Sequence, residues 1–208
     1  MSNPAISMIQ TGLRDLGFAP GPVDGFYGSK TEAAVKAWLA TGGAPTASAL
    51  PVATTGMIYQ GSARHPVREI IVHCSDTPPS WMAGRDIADQ RKEIRRWHVE
   101  ERGWKDIGYH WIIGRDGRVA MGRQETVIGA HVEGHNSGTI GICLIGGKGS
   151  NSTDAFSKHF TPAQDVTLRQ LIQGIGMRTQ ITKVSGHNDY AARACPGFKV
   201  STWLKGAA

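Results

Sequence analysis

Apolar side chains recur at helical spacing near the start of the chain. Ile6, Ile9, Leu13 and Leu16 share one face of a helix predicted over residues 5–17. A turn-rich stretch follows, with Pro20-Gly21 and Asp24-Gly25 between Gly17 and Gly28. Ser29 and Glu32 then stand at capping-box spacing, so Ser29 is expected to cap a second helix that carries Ala33, Val35, Ala37 and Trp38. Residues 41–66 are dominated by Gly, Ala, Thr, Ser and Pro and read as a linker, with one short helix near 46–53 and a domain boundary near residue 62.

Beyond that boundary the periodicity alternates between strand and helix. Glu69 to His73 is a short β-branched run of the kind buried on both faces, and Thr139 to Ile145 is another. Asp86 can cap a helix reaching to about Arg102, with Ile87, Ile94 and Trp97 inward. Gly108 to Gly122 reads as a hairpin that turns at Asp116-Gly117. Thr161-Pro162-Ala163-Gln164 is a capping box with proline at the first helical position, and its helix sets Leu168, Leu171, Ile172 and Ile175 at core spacing. Lys183-Val184 is expected as a last short strand and Ser201–Lys205 as a terminal helical turn. Strands interleaved with helices predict an α/β domain, a mixed central sheet flanked by helices, preceded by a small all-α module. The boundaries are 1–60 and 61–208.

With 208 residues, 40% hydrophobic and 19% charged, the chain has ordinary globular composition. No run approaches the roughly 18 apolar residues that span a bilayer, so no stable membrane insertion is expected. Met1-Ser2-Asn3-Pro4 lacks a basic segment followed by an apolar one, so no signal peptide is expected. The formal charge is +6. Residues 1–60 hold three basic and three acidic side chains, which places the whole excess in residues 61–208. Such a domain favours polyanions, nucleic acid or anionic envelope alike. It carries no nucleic-acid recognition motif or single basic stripe, so no nucleic-acid partner is expected. The three cysteines, Cys74, Cys143 and Cys195, are too few for a disulfide framework. Cys74 and Cys143 lie in strand-like runs and are expected to be buried, while Ala194-Cys195-Pro196-Gly197 reads as a turn.

Strand ends are where a sheet aims ligands into a cleft. His73 ends the first strand, His187 follows the last, and Cys195 lies eight positions later in the same loop. Two imidazoles and a thiolate form a three-donor set for Zn²⁺ with the fourth position open. Spacing alone is a weak signal, since a histidine after a strand is more often a satisfied structural residue.

Longer motifs carry two resemblances. Leu13, Leu16-Gly17, Gly21-Pro22-Val23-Asp24-Gly25, Tyr27-Gly28, Thr31 and Ala34-Val35 resemble the first part of the peptidoglycan-binding module of wall hydrolases, over about residues 5–42. The second half of that pattern is poorly matched after Gly43. The resemblance makes Asp24, Gly25 and Tyr27 candidate wall contacts. Ile70-Ile71-Val72-His73-Cys74-Ser75, Arg95-Arg96-Trp97-His98, Gly103-Trp104 and Ile107-Gly108-Tyr109-His110 resemble the zinc amidases of the phage-lysozyme and peptidoglycan-recognition type. So do Gly129-Ala130-His131, Ile140-Gly141-Ile142-Cys143-Leu144-Ile145, Phe160-Thr161-Pro162-Ala163-Gln164, Gly186-His187 and Ala194-Cys195-Pro196-Gly197-Phe198. They occur in the family's order over about residues 68–205.

That resemblance implies zinc in a surface groove, held by His73, His187 and Cys195. It implies a catalytic role for Tyr109 and a substrate contact for His131. Arg193 stands where many members carry lysine, and Cys143 where some use glutamate, so the proton route departs from the family pattern. The implied reaction is cleavage of the amide between N-acetylmuramic acid and L-alanine of bacterial peptidoglycan. The implied protein is a monomeric phage or prophage endolysin, made in the host cytoplasm and acting on the wall after membrane permeabilisation. A non-catalytic peptidoglycan-binding receptor is the alternative.

Overall fold

The computed structural model describes residues 3–40 and 56–206, and the helix expected near 46–53 lies outside them. The N-terminal module is a pair of helices, α1 (Pro4–Asp15) and α2 (Ser29–Ala40). Ile9, Leu13, Ala34, Val35 and Trp38 pack together between them, with Phe18 and Tyr27 at the edge. Leu16 does not join this face as expected. The helix ends at Asp15, Gly17 turns the chain at φ 86°, and the Phe18 N–H reaches back 2.9 Å to the Leu13 carbonyl. This closing motif replaces Leu16 by Phe18 in the core, and Leu16 is left 61% exposed. The cap of α2 also differs. The Glu32 N–H bonds the Gly28 carbonyl at 3.0 Å, so Gly28 is the cap and Ser29 the first helical residue. The Glu32 side chain pairs with Lys36 at 2.8 Å instead of reaching back.

The second domain begins with a small antiparallel pair, β1 (Tyr59–Gln60) and β2 (His65–Pro66). It continues with β3 (Glu69–Cys74), α3 (Ile87–Arg96), β4 (Trp111–Ile113), β5 (Val119–Met121) and β6 (Thr139–Leu144). Then come α4 (Phe156–His159), α5 (Pro162–Gly176), β7 (Lys183–Gly186) and α6 (Val200–Leu204). The main sheet has the order β5-β4-β6-β3-β7. Four strands run parallel, and β5 is antiparallel to β4 through the expected hairpin. This mixed sheet between helices is the architecture the sequence predicts. Both anticipated caps form: Asp86 accepts from Ala88 N at 2.8 Å, and Thr161 and Gln164 complete a reciprocal box.

The two central strands are buried on both faces, which explains their unbroken apolar runs. On one face, Ile70, Val72, Ile140, Ile142 and Leu144 pack against Leu168, Leu171, Ile172 and Ile175 of α5 and against Phe198, Val200 and Trp203. On the other face, Ile112 and Ile145 pack under Ile87 and Ile94 of α3. Strand alternation sends His73, Gly141 and Cys143 to this second face. The module meets the second domain along α5 and β5: Val166 of α5 closes the module core, and Asn3 Nδ2 donates to the carbonyl of Val119 in β5 at 2.9 Å. The stretch read as one long helix to Arg102 changes after Arg96 to a π-helical turn, Trp97–Glu101. Such turns re-aim side chains, and here His98 faces inward to accept from Gly108 N at 3.0 Å.

Candidate metal centre

His73 and, more than a hundred residues later, His187 and Cys195 converge at the C-terminal end of the parallel strands. His73 comes from β3 and is buried. His187 opens the short 3₁₀ turn after β7, and Cys195 lies in the loop before α6. Asp189 Oδ2 accepts from Gly186 N at 2.9 Å, and Asn188 N donates to the Cys195 carbonyl at 2.8 Å, so the loop between the last two is tied shut. One donor atom from each of the three falls within 4.8 Å of the others. Tetrahedral zinc with bonds of about 2.0–2.1 Å to nitrogen and about 2.3 Å to sulfur separates N and S by about 3.6 Å. His73 Nδ1 and Cys195 Sγ are 3.8 Å apart.

The electrostatics suit a cation. Burial, with His131, His187 and His110 around it, holds His73 well below the usual imidazole range, so its ring stays neutral with a lone pair to give. Burial and then the Arg193 charge lower His187 as well. Cys195 Sγ accepts from the Cys74 N–H at 3.2 Å. Contact with the Cys74 thiol and burial push the Cys195 thiol up, so a thiolate there calls for a positive partner. The donor set therefore fits a zinc ion.

Around these three, the Tyr109 ring lies 5.1 Å from that of His73 and 5.3 Å from that of His98. Burial and the nearby thiols raise its hydroxyl well above the usual range, so it remains an O–H donor. Cys143, level with His73 on the adjoining strand, is fully buried, and burial keeps it a thiol. Arg193 is exposed, and its side chain makes no hydrogen bond or ion pair with another described residue. His131 is buried, with Nδ1 3.1 Å from His73 Nε2.

Among the candidate wall contacts, Asp24 and Gly25 use their polar groups within the module. Gln10, 1% exposed, donates to Asp24 Oδ1 at 2.9 Å and accepts from Gly25 N at 3.0 Å. Tyr27 is half-buried against the module core. Sequence reasoning passed over Gln60, Asn136 and Thr139. Gln60 is fully buried, donating to the Thr139 carbonyl at 2.8 Å and accepting from Gly138 N at 2.9 Å. Asn136 Oδ1 accepts from the backbone of both His131 and Val132, at 2.7 and 3.0 Å. No local motif signals these roles.

Comparison with known proteins identifies the family. The family model described as N-acetylmuramoyl-L-alanine amidase matches residues 63–198, and one for a peptidoglycan binding domain matches residues 2–38. The chain is 41% identical to an endolysin of Enterobacteria phage T3 over 144 residues, 69% of this chain and 89% of the relative. It is 40% identical to an endolysin of Escherichia phage T7 over the same shares. Among solved structures, Drosophila PGRP-LB aligns with a TM-score of 0.56 at 28% identity, over 76% of this chain and 89% of that one.

Proposed function

The chain belongs to the N-acetylmuramoyl-L-alanine amidase family, and from that membership we propose a zinc-dependent endolysin whose metal is held by His73, His187 and Cys195. It is a peptidoglycan amidase that cuts the bond between N-acetylmuramic acid and L-alanine, and it carries a peptidoglycan-binding module. Zinc dependence rests on one observation, the meeting of two neutral imidazoles and one thiol within 4.8 Å at the mouth of the sheet. A zinc ion there supplies Lewis-acid chemistry, polarising a carbonyl and acidifying water at neutral pH.

The protein's own groups do the rest. Tyr109 keeps its proton and can donate to the oxygen that gains charge as the carbonyl is attacked. Arg193, whose charge is felt at His187 and whose side chain has no hydrogen-bond or ion-pair partner among the described residues, is the second candidate donor. Its guanidinium donates but cannot shuttle a proton. The departing alanine amine needs a proton, and Cys143 is too deeply buried to deliver it. The helical pair α1 and α2 holds the wall near the catalytic domain, which begins at β1, and so raises local substrate concentration. Action at the cell wall after the membrane has been permeabilised completes the reading. Elemental analysis tests the metal: about one zinc per chain is expected, lost in Cys195→Ser, and an active protein free of metal would overturn it.

A further inference from the structure

We infer that His131 is a positioning residue: it fixes the proton of His73 on Nε2 and so presents Nδ1, bare and aimed, to the metal. The inference rests on the zinc reading for its purpose but on hydrogen-bond direction for its content. The chain of donors can be read from its far end. Thr139 Oγ1 lies 2.9 Å from the His135 carbonyl and 3.0 Å from the Asn136 carbonyl. Carbonyls only accept, so the single hydroxyl proton is committed to them. Toward His131 Nε2, 3.4 Å away, the Thr139 oxygen can then only accept. The His131 proton therefore sits on Nε2, and its Nδ1 is an acceptor. The atom facing Nδ1 at 3.1 Å is His73 Nε2, which must carry the proton of that bond. The remaining His73 nitrogen, Nδ1, is left with its lone pair toward Cys195 Sγ at 3.8 Å. A neutral imidazole has one proton to place, and the metal ligand's tautomer is set by the bond its other nitrogen makes.

The fold builds a slot for this ring. A methyl group at Gly141, in the middle of β6, would lie 2.6 Å from His131 Cδ2 and 2.7 Å from Cγ. One at Gly129 would lie 2.5 Å from Cδ2. Glycine in a buried central strand gives up packing and backbone entropy, and here the space it leaves is filled by the His131 ring. The two backbone amides held by Asn136 fix the loop that delivers it. Nothing in this arrangement requires His131 to touch substrate.

The test measures zinc affinity by chelator competition together with imidazole ¹⁵N chemical shifts of the full-length protein, metal-free and zinc-loaded. In the wild type, His73 should carry its proton on Nε2 in both states. His131→Ala should lose roughly tenfold to a hundredfold in zinc affinity and, without metal, the single His73 tautomer. His131→Gln, which can accept from His73 and donate to Thr139, should restore most of both. Gly141→Ala, which crowds the ring while leaving His131 in place, should act like His131→Ala, and Thr139→Val should weaken the tautomer preference. A wild-type His73 protonated on Nδ1, or a folded His131→Ala protein with unchanged affinity and tautomer, would overturn the inference. Absence of zinc binding by the wild type would instead remove the zinc reading, and the metal-free tautomer would still decide the order of hydrogen bonds.

Discussion

Truncating Val166 on α5 should loosen the N-terminal module while leaving the sheet intact. Val166 is 3% exposed and is the residue of α5 that packs among Ile9, Leu13, Ala34, Val35 and Trp38. Val166→Ala deletes two methyl groups, at about 0.8 kcal/mol each for lost burial. The cavity adds to this, for a total of about 2 kcal/mol. Alanine has the higher helix propensity, so α5 itself is not weakened. A helical pair of this size is near the lower limit of what a single small core can hold, about 40 residues without staples, so most of the loss should fall on the module. Two kcal/mol is roughly a thirtyfold change in its opening equilibrium. Native-state hydrogen exchange reads this directly. Amides of Leu13 and Val35 should exchange about thirtyfold faster, while those of Ile71 and Ile142 stay near wild type. A fragment of residues 1–60 should lack a cooperative melting transition. Unchanged exchange in α1 and α2, or a cooperatively folded fragment, would refute the idea that the catalytic domain completes the module's core.

Arg193→Ala should lower turnover on a defined muropeptide by about 100- to 1,000-fold, the usual loss for one oxyanion donor, with zinc content unchanged; Arg193→Lys should retain much of the activity, and near-wild-type turnover for Arg193→Ala would end the role. A protein lacking residues 1–55, which keeps β1 and the buried Gln60, should hydrolyse small soluble muropeptides as the full chain does but lose activity on intact wall, and equal loss on both substrates would count against wall tethering. His98 gives a pH signature. Burial first, then Arg102 and Arg123, lowers its pKa to about 4, against about 6.5 for an unfolded histidine. The unfolded chain thus binds the extra proton between these values, so stability contributed by neutral His98 is full above about 6.5 and is lost as pH falls toward 4. His98→Gln, which keeps an acceptor for Gly108 N, should make the fall in Tm over that window shallower, the rest belonging to the other buried histidines His73, His110, His131 and His187, and an identical profile would contradict the assignment.

Features specified over a few neighbouring residues were legible in the sequence. The apolar runs Ile70–Val72 and Ile140–Ile145 announced strands buried on both faces, and Asp86 and Thr161 announced helix starts through local caps. The set His73, His187 and Cys195 was legible through the longer motifs around each residue, since spacing alone left a structural role open, and the fold brings one donor atom of each within 4.8 Å of the others. What failed locally did so by competition between neighbours. Leu16 has the right spacing for the α1 face, but Gly17 ends the helix first and Phe18 takes the place. Ser29 has the right cap chemistry, but Gly28 already receives the first helical bond. The two-residue strands β1 and β2 offer too few positions for any periodicity. The positions of Gln60, Asn136 and Thr139 depend on bonds to loops brought near only by the finished fold. The same is true of the contact between His131 and His73, which no spacing in the sequence signals.

The most direct test of the account is mass spectrometry of purified peptidoglycan incubated with metal-stripped protein, with and without one equivalent of added zinc. The account predicts that new L-alanine amino termini appear, with intact N-acetylmuramic acid lactyl groups, only when zinc is returned, and that Cys195→Ser yields none under either condition. Cleavage at a sugar–sugar or peptide–peptide bond, or the same alanine termini formed by the metal-free protein, would contradict it.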